Sequence, residues 1–340
     1  MGNDCVCPYI NDDNQYMLYN NYYNYDDYYG YNENETQASR ELRYILWQKY
    51  RAKNISLRVH QITDAEFYKQ LSCNPTYYRI MHQLSKKLKL IPFDRDITYA
   101  NMKPFKITNM CDGETQYFKG SFNERGECSG EGIWLNDSNI YYGNFCNDLF
   151  NGKGVFMNPK GDYYFGEWVN GLPNGNGIVV YNGMLSYKGG FVNGQKCGMG
   201  LEKFPDGEYY YGEFAQGQKN GKGRYNFLGG GVYEGEMKNS KFDGVGMYMW
   251  NNGQKYNGEF NNGKINGTGT FTWRDGSVFS GNYMNGFKQG EGEYRWPDGT
   301  SFQGNWVNNK PNGVGMFSMP KLGYKGNICY KNGVVSTPAD

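Results

Sequence analysis

The chain is poor in the residues on which catalysis and metal binding most often rely. It has two histidines, His60 and His82, both in one N-terminal segment where a packing or surface role is expected. Its eight cysteines (Cys5, Cys7, Cys73, Cys111, Cys128, Cys146, Cys197 and Cys329) include no Cys-x-x-Cys pair, so the common zinc spacings are absent. There is no Gly-x-x-x-x-Gly-Lys-Ser/Thr phosphate loop and no protein-kinase motif set. Nowhere does the sequence stay apolar for the ~18 residues a membrane-spanning helix needs. The first thirty residues lack the apolar run of a secretory signal. These absences lead us to expect no enzyme activity, no cofactor and no metal, and an intracellular chain with reduced thiols. The Asn-x-Ser/Thr triplets at Asn34, Asn54, Asn136 and Asn266 would then be incidental.

Charge is scarce overall but unevenly placed. The formal net charge is +1, too small for a global field that recruits nucleic acid. Residues 1–35 hold seven acids and no Lys or Arg, whereas residues 36–91 hold eleven basic and three acidic residues. The rest sums to zero. Small aliphatics are also few, while Gly contributes 49 residues and aromatics 18% of the chain. That composition suits a thin aromatic sheet better than a thick globular core.

The glycines and aromatics are periodic. Gly120, Gly143, Gly166, Gly189, Gly212, Gly235, Gly258, Gly281 and Gly304 follow one another at intervals of 23 residues. Each sits in an aromatic-x-Gly-x-aromatic pattern or a close variant, and a partial tenth unit follows at Gly326. A Gly-x-Gly pair completes each full unit, from Gly130/Gly132 through Gly175/Gly177 to Gly313/Gly315. A fixed period of this length signals a repeat architecture. In Tyr164-Phe165-Gly166-Glu167-Trp168, alternation puts Tyr164, Gly166 and Trp168 on one strand face. Outer-face residues elsewhere are mostly polar, such as Glu234, Glu236, Asn257 and Glu259. Turns such as Trp273-Arg274-Asp275-Gly276 reverse the chain. Each unit therefore reads as an antiparallel hairpin whose rings cover the bare backbone of strand glycines. About 20 strands at ~4.7 Å spacing would make an array about 90 Å long.

Tyr256-Asn257-Gly258-Glu259-Phe260, continuing to Gly267-Thr268-Gly269, resembles the MORN repeat. So do Phe302-Gln303-Gly304-Asn305-Trp306 and its pair Gly313/Gly315. The resemblance runs over residues 117–332 in nine full copies and a partial tenth. It implies a mainly β fold, an elongated single-layer antiparallel meander, with catalysis, where members have it, confined to a separate domain. Family arrays occur in membrane junctions, lipid kinases, ciliary spoke heads and membrane-apposed cytoskeleton. The resemblance implies phosphoinositide binding in some members; dimerisation through array ends is a family habit, and the strand near Tyr324 to Ile328 would suit it. Two units depart from the pattern. Val179 and Glu202 stand where most units carry a ring two residues after Gly-x-Gly, so the aromatic floor is expected to thin there.

The N-terminal third carries other signals. Residues 1–35 read as a disordered acidic tail. Gly2 is placed for N-myristoylation and Cys5 and Cys7 for palmitoylation, although Val6 stands where the motif has Ser or Thr. Residues 36–92 read as a basic helical segment capping the open edge of the first hairpin. Within it, Thr63-Asp64-Ala65-Glu66 is a capping-box pattern, and Lys86, Lys87 and Lys89 form a patch for a membrane or partner. Residues 93–116 read as a linker and degenerate half-repeat, and residues 333–340 as a tail. The expected function is a non-catalytic, membrane-associated scaffold that binds proteins, and phospholipids too, with a homodimer through an array end in view. The alternative is an axonemal subunit of radial-spoke type without an anchor.

Overall fold

The computed structural model describes residues 9–11, 15–17, 57–72, 102, 104–109, 115–124, 127–136 and 139–336. A short antiparallel pair joins β1 (Tyr9–Asn11) to β2 (Gln15–Met17). By internal contacts the chain forms two compact bodies, residues 29–205 and residues 1–28 with 206–340.

The first body is an antiparallel meander with one helix. Its elements are β3 (Leu57–Gln61), α1 (Asp64–Ser72), β4 (Pro104–Asn109), β5 (Thr115–Phe122), β6 (Cys128–Asn136), β7 (Ile140–Cys146), β8 (Leu149–Met157), β9 (Tyr163–Val169), β10 (Leu172–Tyr181), β11 (Met184–Val192) and β12 (Gln195–Lys203). The second body continues the same pattern. It holds β13 (Tyr209–Ala215), β14 (Gln218–Asn226), β15 (Val232–Lys238), β16 (Lys241–Met249), β17 (Lys255–Asn261), β18 (Lys264–Thr272), β19 (Val278–Met284), β20 (Phe287–Arg295), β21 (Ser301–Val307), β22 (Lys310–Pro311), β23 (Gly313–Met319), β24 (Tyr324–Lys331) and β25 (Val334–Ser336).

Register follows the glycines. Gly246 pairs with Gly258 and Gly258 with Gly269; Gly154, Gly166 and Gly177 align in the same way. Most of the short hairpin loops are Asn-Gly dipeptides such as Asn262-Gly263, and the others, such as Asn147-Asp148 and Asn239-Ser240, likewise place both residues at positive φ. That is the two-residue turn whose twist matches the flanking strands. The longer loops close on themselves, as where the Gly276 N–H donates to Trp273 O at 3.1 Å.

The N-terminal segment departs from a uniformly helical reading. Leu57–Gln61 is a strand, and β3 pairs with β4, which pairs with β5. The open side of the first hairpin is thus continued by strands, and the helix does not cap it. Instead α1 lies flat on the sheet. Phe67 and Leu71 pack against Ile133, Leu135, Ile140, Tyr142, Val155 and Met157, on the face opposite Trp134 and Tyr141. The physical reason is visible in Gly132-Ile133-Trp134-Leu135 and Val155-Phe156-Met157, which are apolar on both faces and need a cover on each. The capping box forms: the Thr63 N–H donates to Glu66 Oε2 at 2.8 Å and the Glu66 N–H to Thr63 Oγ1 at 3.2 Å. Lys119, buried in β5, donates to Asp64 Oδ1 at 2.6 Å and lies over the Tyr68 ring, which fixes the helix start above the sheet.

The end of the chain also differs from the expected tail. Val334–Ser336 turns back at Asn332-Gly333 and pairs with Cys329–Lys331, so Tyr324–Lys331 is not the last strand.

Because α1 buries Phe67 completely, truncating that ring tests the second layer. Phe67→Ala should cost about 3–5 kcal/mol in the folding of the first body and expose Tyr142 and Tyr163 to solvent. Denaturant unfolding with tyrosine fluorescence would check this. A loss under about 1 kcal/mol would mean that the helix does not hold that face.

Candidate functional site

In each hairpin one ring sits over two glycines. Tyr256 lies across Gly258 of its own strand and Gly269 of the next. A β-carbon at Gly258 would come within 2.5 Å of Tyr256 Oη, Thr268 O and the Gly269 α-carbon. No side chain other than hydrogen fits that gap. The hydroxyl of Tyr256 then donates to Glu259 O at 3.1 Å. Tyr164 does the same to Glu167 O at 3.0 Å over Gly166 and Gly177, and Phe302 covers Gly304 and Gly315 without the hydroxyl. The ring thus serves its own strand as well as its neighbour.

The strand aromatics that follow brace these rings. Trp168 meets Tyr164 edge-on at 4.9 Å and donates through Nε1 to Gly154 O at 3.2 Å. Phe260 stands edge-on to Tyr256 at 5.2 Å and Trp306 to Phe302 at 5.8 Å. Burial drives the Tyr164 and Tyr256 phenols above the ordinary tyrosine range.

The first glycine of Gly-x-Gly has a different task. Gly267 adopts φ +100° at a register shift between Gly258 and Phe260. The Glu259 carboxylate reaches over this bulge, where its Oε1 accepts the Thr268 N–H at 3.0 Å and also the Thr268 hydroxyl. Those bonds hold Glu259 below the usual carboxylate range. Glu213 accepts the Lys222 N–H at 3.0 Å in the same place. The outer-face glutamates are therefore bulge caps, a role that alternation alone did not disclose. Gly175 and Gly313 are the corresponding positive-φ positions.

Two residues before each Gly-x-Gly a third position points among the rings. It is Cys128, Phe150, Pro173, Lys196, Lys219, Phe242, Ile265, Lys288 or Pro311 in successive units. Lys196 donates to Glu202 Oε1 at 2.5 Å, with both side chains buried, and lies over the Tyr187 ring. Where Glu202 replaces a ring, the floor does not thin; an ion pair fills it. Glu208, also buried, accepts from the Tyr225 hydroxyl at 2.5 Å.

Among the described residues no cluster of His, Cys, Asp and Glu could hold a metal. Gly2, Cys5, Cys7, Lys86, Lys87 and Lys89 lie outside the described residues. What the geometry leaves for partners is the face opposite the rings. The rings are spent on glycine and on one another, with Tyr187, Tyr210, Tyr233 and Tyr256 fully buried. On the other face of the first body, beyond the strands that α1 covers, Val169, Val192 and Met199 stand exposed.

A family model described as MORN repeat matches residues 141–163, 164–182, 187–209, 210–232, 233–255, 256–278, 279–301 and 302–322, together more than half of the chain. The hairpin β5–β6 precedes these eight segments and has the same Gly120–Gly132 pairing. No curated protein matches. Among solved structures, the chain is similar to the TCP domain of SAS-4 (dCPAP) of Drosophila melanogaster, in complex with a proline-rich motif of Ana2 (dSTIL). That likeness is 15% identical, covers 52% of this chain and 88% of that one, and has a TM-score of 0.29, which carries no argument about this chain.

Two substitution sets follow from this geometry. Gly258→Val should lower stability by about 3 kcal/mol or more, and Glu259→Val, which loses only bulge-capping bonds, much less. Equal shifts in the thermal midpoint would contradict the face assignment. Glu202→Ala strands the Lys196 ammonium and should cost about 3–5 kcal/mol, whereas Lys196→Phe with Glu202→Tyr copies Phe242 and Tyr248 and should fold at least as stably as the parent. Failure of the double variant to recover the loss would show that the two positions are not interchangeable with their neighbours.

Proposed function

The chain belongs to the MORN-repeat family, and on that premise we propose that it is a scaffold held on the cytoplasmic face of a membrane, within a membrane-apposed cytoskeleton. MORN repeats are generally non-catalytic and generally mediate protein or lipid interactions. The observation that carries the scaffold reading is the division of labour between the faces. One face is closed by its own rings. The other offers Val169, Val192 and Met199, each 45–51% exposed, beside strands that already bind a helix of this chain. A protein partner with an apolar face fits that surface.

The membrane part rests on sequence features. Gly2 would carry a myristoyl group and Cys5 or Cys7 a palmitoyl group. A single myristoyl chain binds membranes only marginally, with an association constant of order 10⁴ M⁻¹, so residence needs a second signal. The second acyl chain is one. Lys86, Lys87 and Lys89 are another, each adding about 1 kcal/mol near an anionic leaflet. Among the described residues no helix is long and apolar enough to cross a membrane. Asp12, Asp13, Asp26 and Asp27 oppose the attraction, which makes acylation the decisive contribution.

Fractionation of cells producing the full chain tests both parts. The parent should sediment with membranes. Gly2→Ala should move most of it to the soluble fraction, and Cys5→Ser with Cys7→Ser nearly as much. Val192→Asp with Met199→Asp should stay on the membrane with an unchanged melting midpoint but lose most co-purifying protein. A parent chain found soluble, or a Gly2→Ala chain retained as well as the parent, would sink the anchor and bring forward the axonemal structural reading. Undiminished co-purification with the double aspartate variant would remove the proposed surface.

A further inference from the structure

Lys288 occupies the position that Phe242 and Ile265 fill in earlier units, but it brings a cation among rings. Its Nζ lies 4.7 Å from the centroid of Trp273 and 5.1 Å from those of Phe279, Tyr294 and Trp306. The walls are fixed. Phe279 is held over Gly281 and Gly292, the Trp306 Nε1–H donates to Gly292 O at 3.1 Å, and Trp306 packs edge-on against Phe279 at 5.1 Å. The side chain is 8% exposed, so the cage is nearly closed but not sealed.

Unlike two other buried lysines, Lys288 has no counter-ion. Lys196, at the same repeat position, has Glu202. Lys119, buried on the opposite face, has Asp64. Among the described residues no carboxylate lies in ion-pair reach of Lys288; Tyr283 and Tyr294, whose phenols burial pushes up, are the titratable groups on its face of β19 and β20, while Glu291 and Glu293 alternate to the other face and Arg295 pairs with Glu293. The Asp275 carboxylate in the adjoining turn is taken by the Ser277 N–H and hydroxyl, at 2.9 and 3.1 Å. Ring faces attract a cation, but they supply no counter-charge.

We propose that Lys288 is an acylation site, whose amine takes a small acyl group from an activated donor such as an acyl phosphate or a thioester. The lone pair of the neutral amine attacks the acyl carbon and forms the C–N bond. The C–O or C–S bond breaks, its electron pair leaves with the phosphate or thiolate, and the nitrogen gives one proton to water. The product is a neutral planar amide, which rings accept without a counter-ion. An anionic adduct would meet the negative ring faces, and methylation would leave the buried charge in place. Burial lowers the amine from its ordinary 10.5 to about 8, so a substantial neutral fraction exists near neutrality, where an exposed lysine has almost none.

The same burial has a signed effect on stability. The folded-state value lies below the unfolded one, so protonation of Lys288 opposes folding. Stability from this group should rise as pH climbs from about 8 towards 10.5 and level beyond that.

The test uses the full chain, acetyl phosphate and peptide mass spectrometry across pH 6–10. Lys288 should be acetylated on the order of tenfold faster than exposed Lys255 at pH 7.5, with a rate that levels off above about pH 8. Lys196, held by Glu202, should lag behind it. Trp273→Leu, which opens one wall to water, should move the levelling point upward and shrink the advantage. Lys288→Met should fold, melt higher than the parent at pH 7, and lose the rise in stability above pH 8. The proposal is overturned if Lys288 is acetylated no faster than Lys255. A rate still climbing at pH 10, or modification only in protein that has lost its near-ultraviolet dichroism, would overturn it as well.

Discussion

A ring lying flat over two paired glycines is the contact on which this chain depends. Strand glycine is ordinarily costly, because it brings chain entropy to the unfolded state and no side chain to the sheet. Here the missing side chains are what let Tyr256 settle over Gly258 and Gly269, with its hydroxyl on Glu259 O. The hydroxyl meets a carbonyl beside the register shift, so one side chain fills the gap and serves the irregular backbone. Because the ring reaches no further than its own hairpin and the first strand of the next unit, where Tyr256 meets Tyr283 edge-on at 5.4 Å, the stabilisation is local. Adding or losing a unit changes little elsewhere, as expected of an array that folds by nearest-neighbour terms.

Locality also explains what could be read from residues alone. Alternation and the 23-residue period assign the strands, the paired glycines and the buried face, since each is a property of one hairpin. The capping box at Thr63 was equally legible, being confined to four residues. The bulge caps were harder. Glu259 looks like any solvated acid until Gly267 turns to positive φ and brings the Thr268 N–H beneath it. The Asn-Gly turns, such as Asn170-Gly171 and Asn285-Gly286, are local signals of the same kind as the capping box.

The larger departures involve contacts distant in sequence. That α1 lies on β6 to β8 needed Phe67 and Leu71 to be matched with Ile133, Leu135 and Met157, about seventy residues on. The hint lay in stretches such as Ile133-Trp134-Leu135 and Val155-Phe156-Met157, which are apolar on both faces where later strands alternate. Likewise, Leu57–Gln61 is a strand because β4 offers it a ladder, which no local propensity discloses. The Lys196–Glu202 pair shows the reverse case. The two residues are six apart and occupy positions where neighbouring units place Phe and Tyr, so each looks like a defect until they are considered together.

Closing one face with rings constrains what the other can do. The ring face has little freedom to accept a ligand without uncovering glycine, which ties binding there to local unfolding. The opposite face carries no such duty outside the bulge caps, so its composition is free to differ along the chain. Over β6 to β8 it is apolar and holds a helix of the same chain. At Val192 and Met199 it is apolar and exposed; at Arg224 and Glu234 it is an exposed ion pair. A scaffold needs this arrangement, with stability written on one side of the strands and recognition on the other. Lys288 is the exception that the logic picks out. It is a titratable group on the stability side, where a change of charge is felt by the packing itself rather than by a partner.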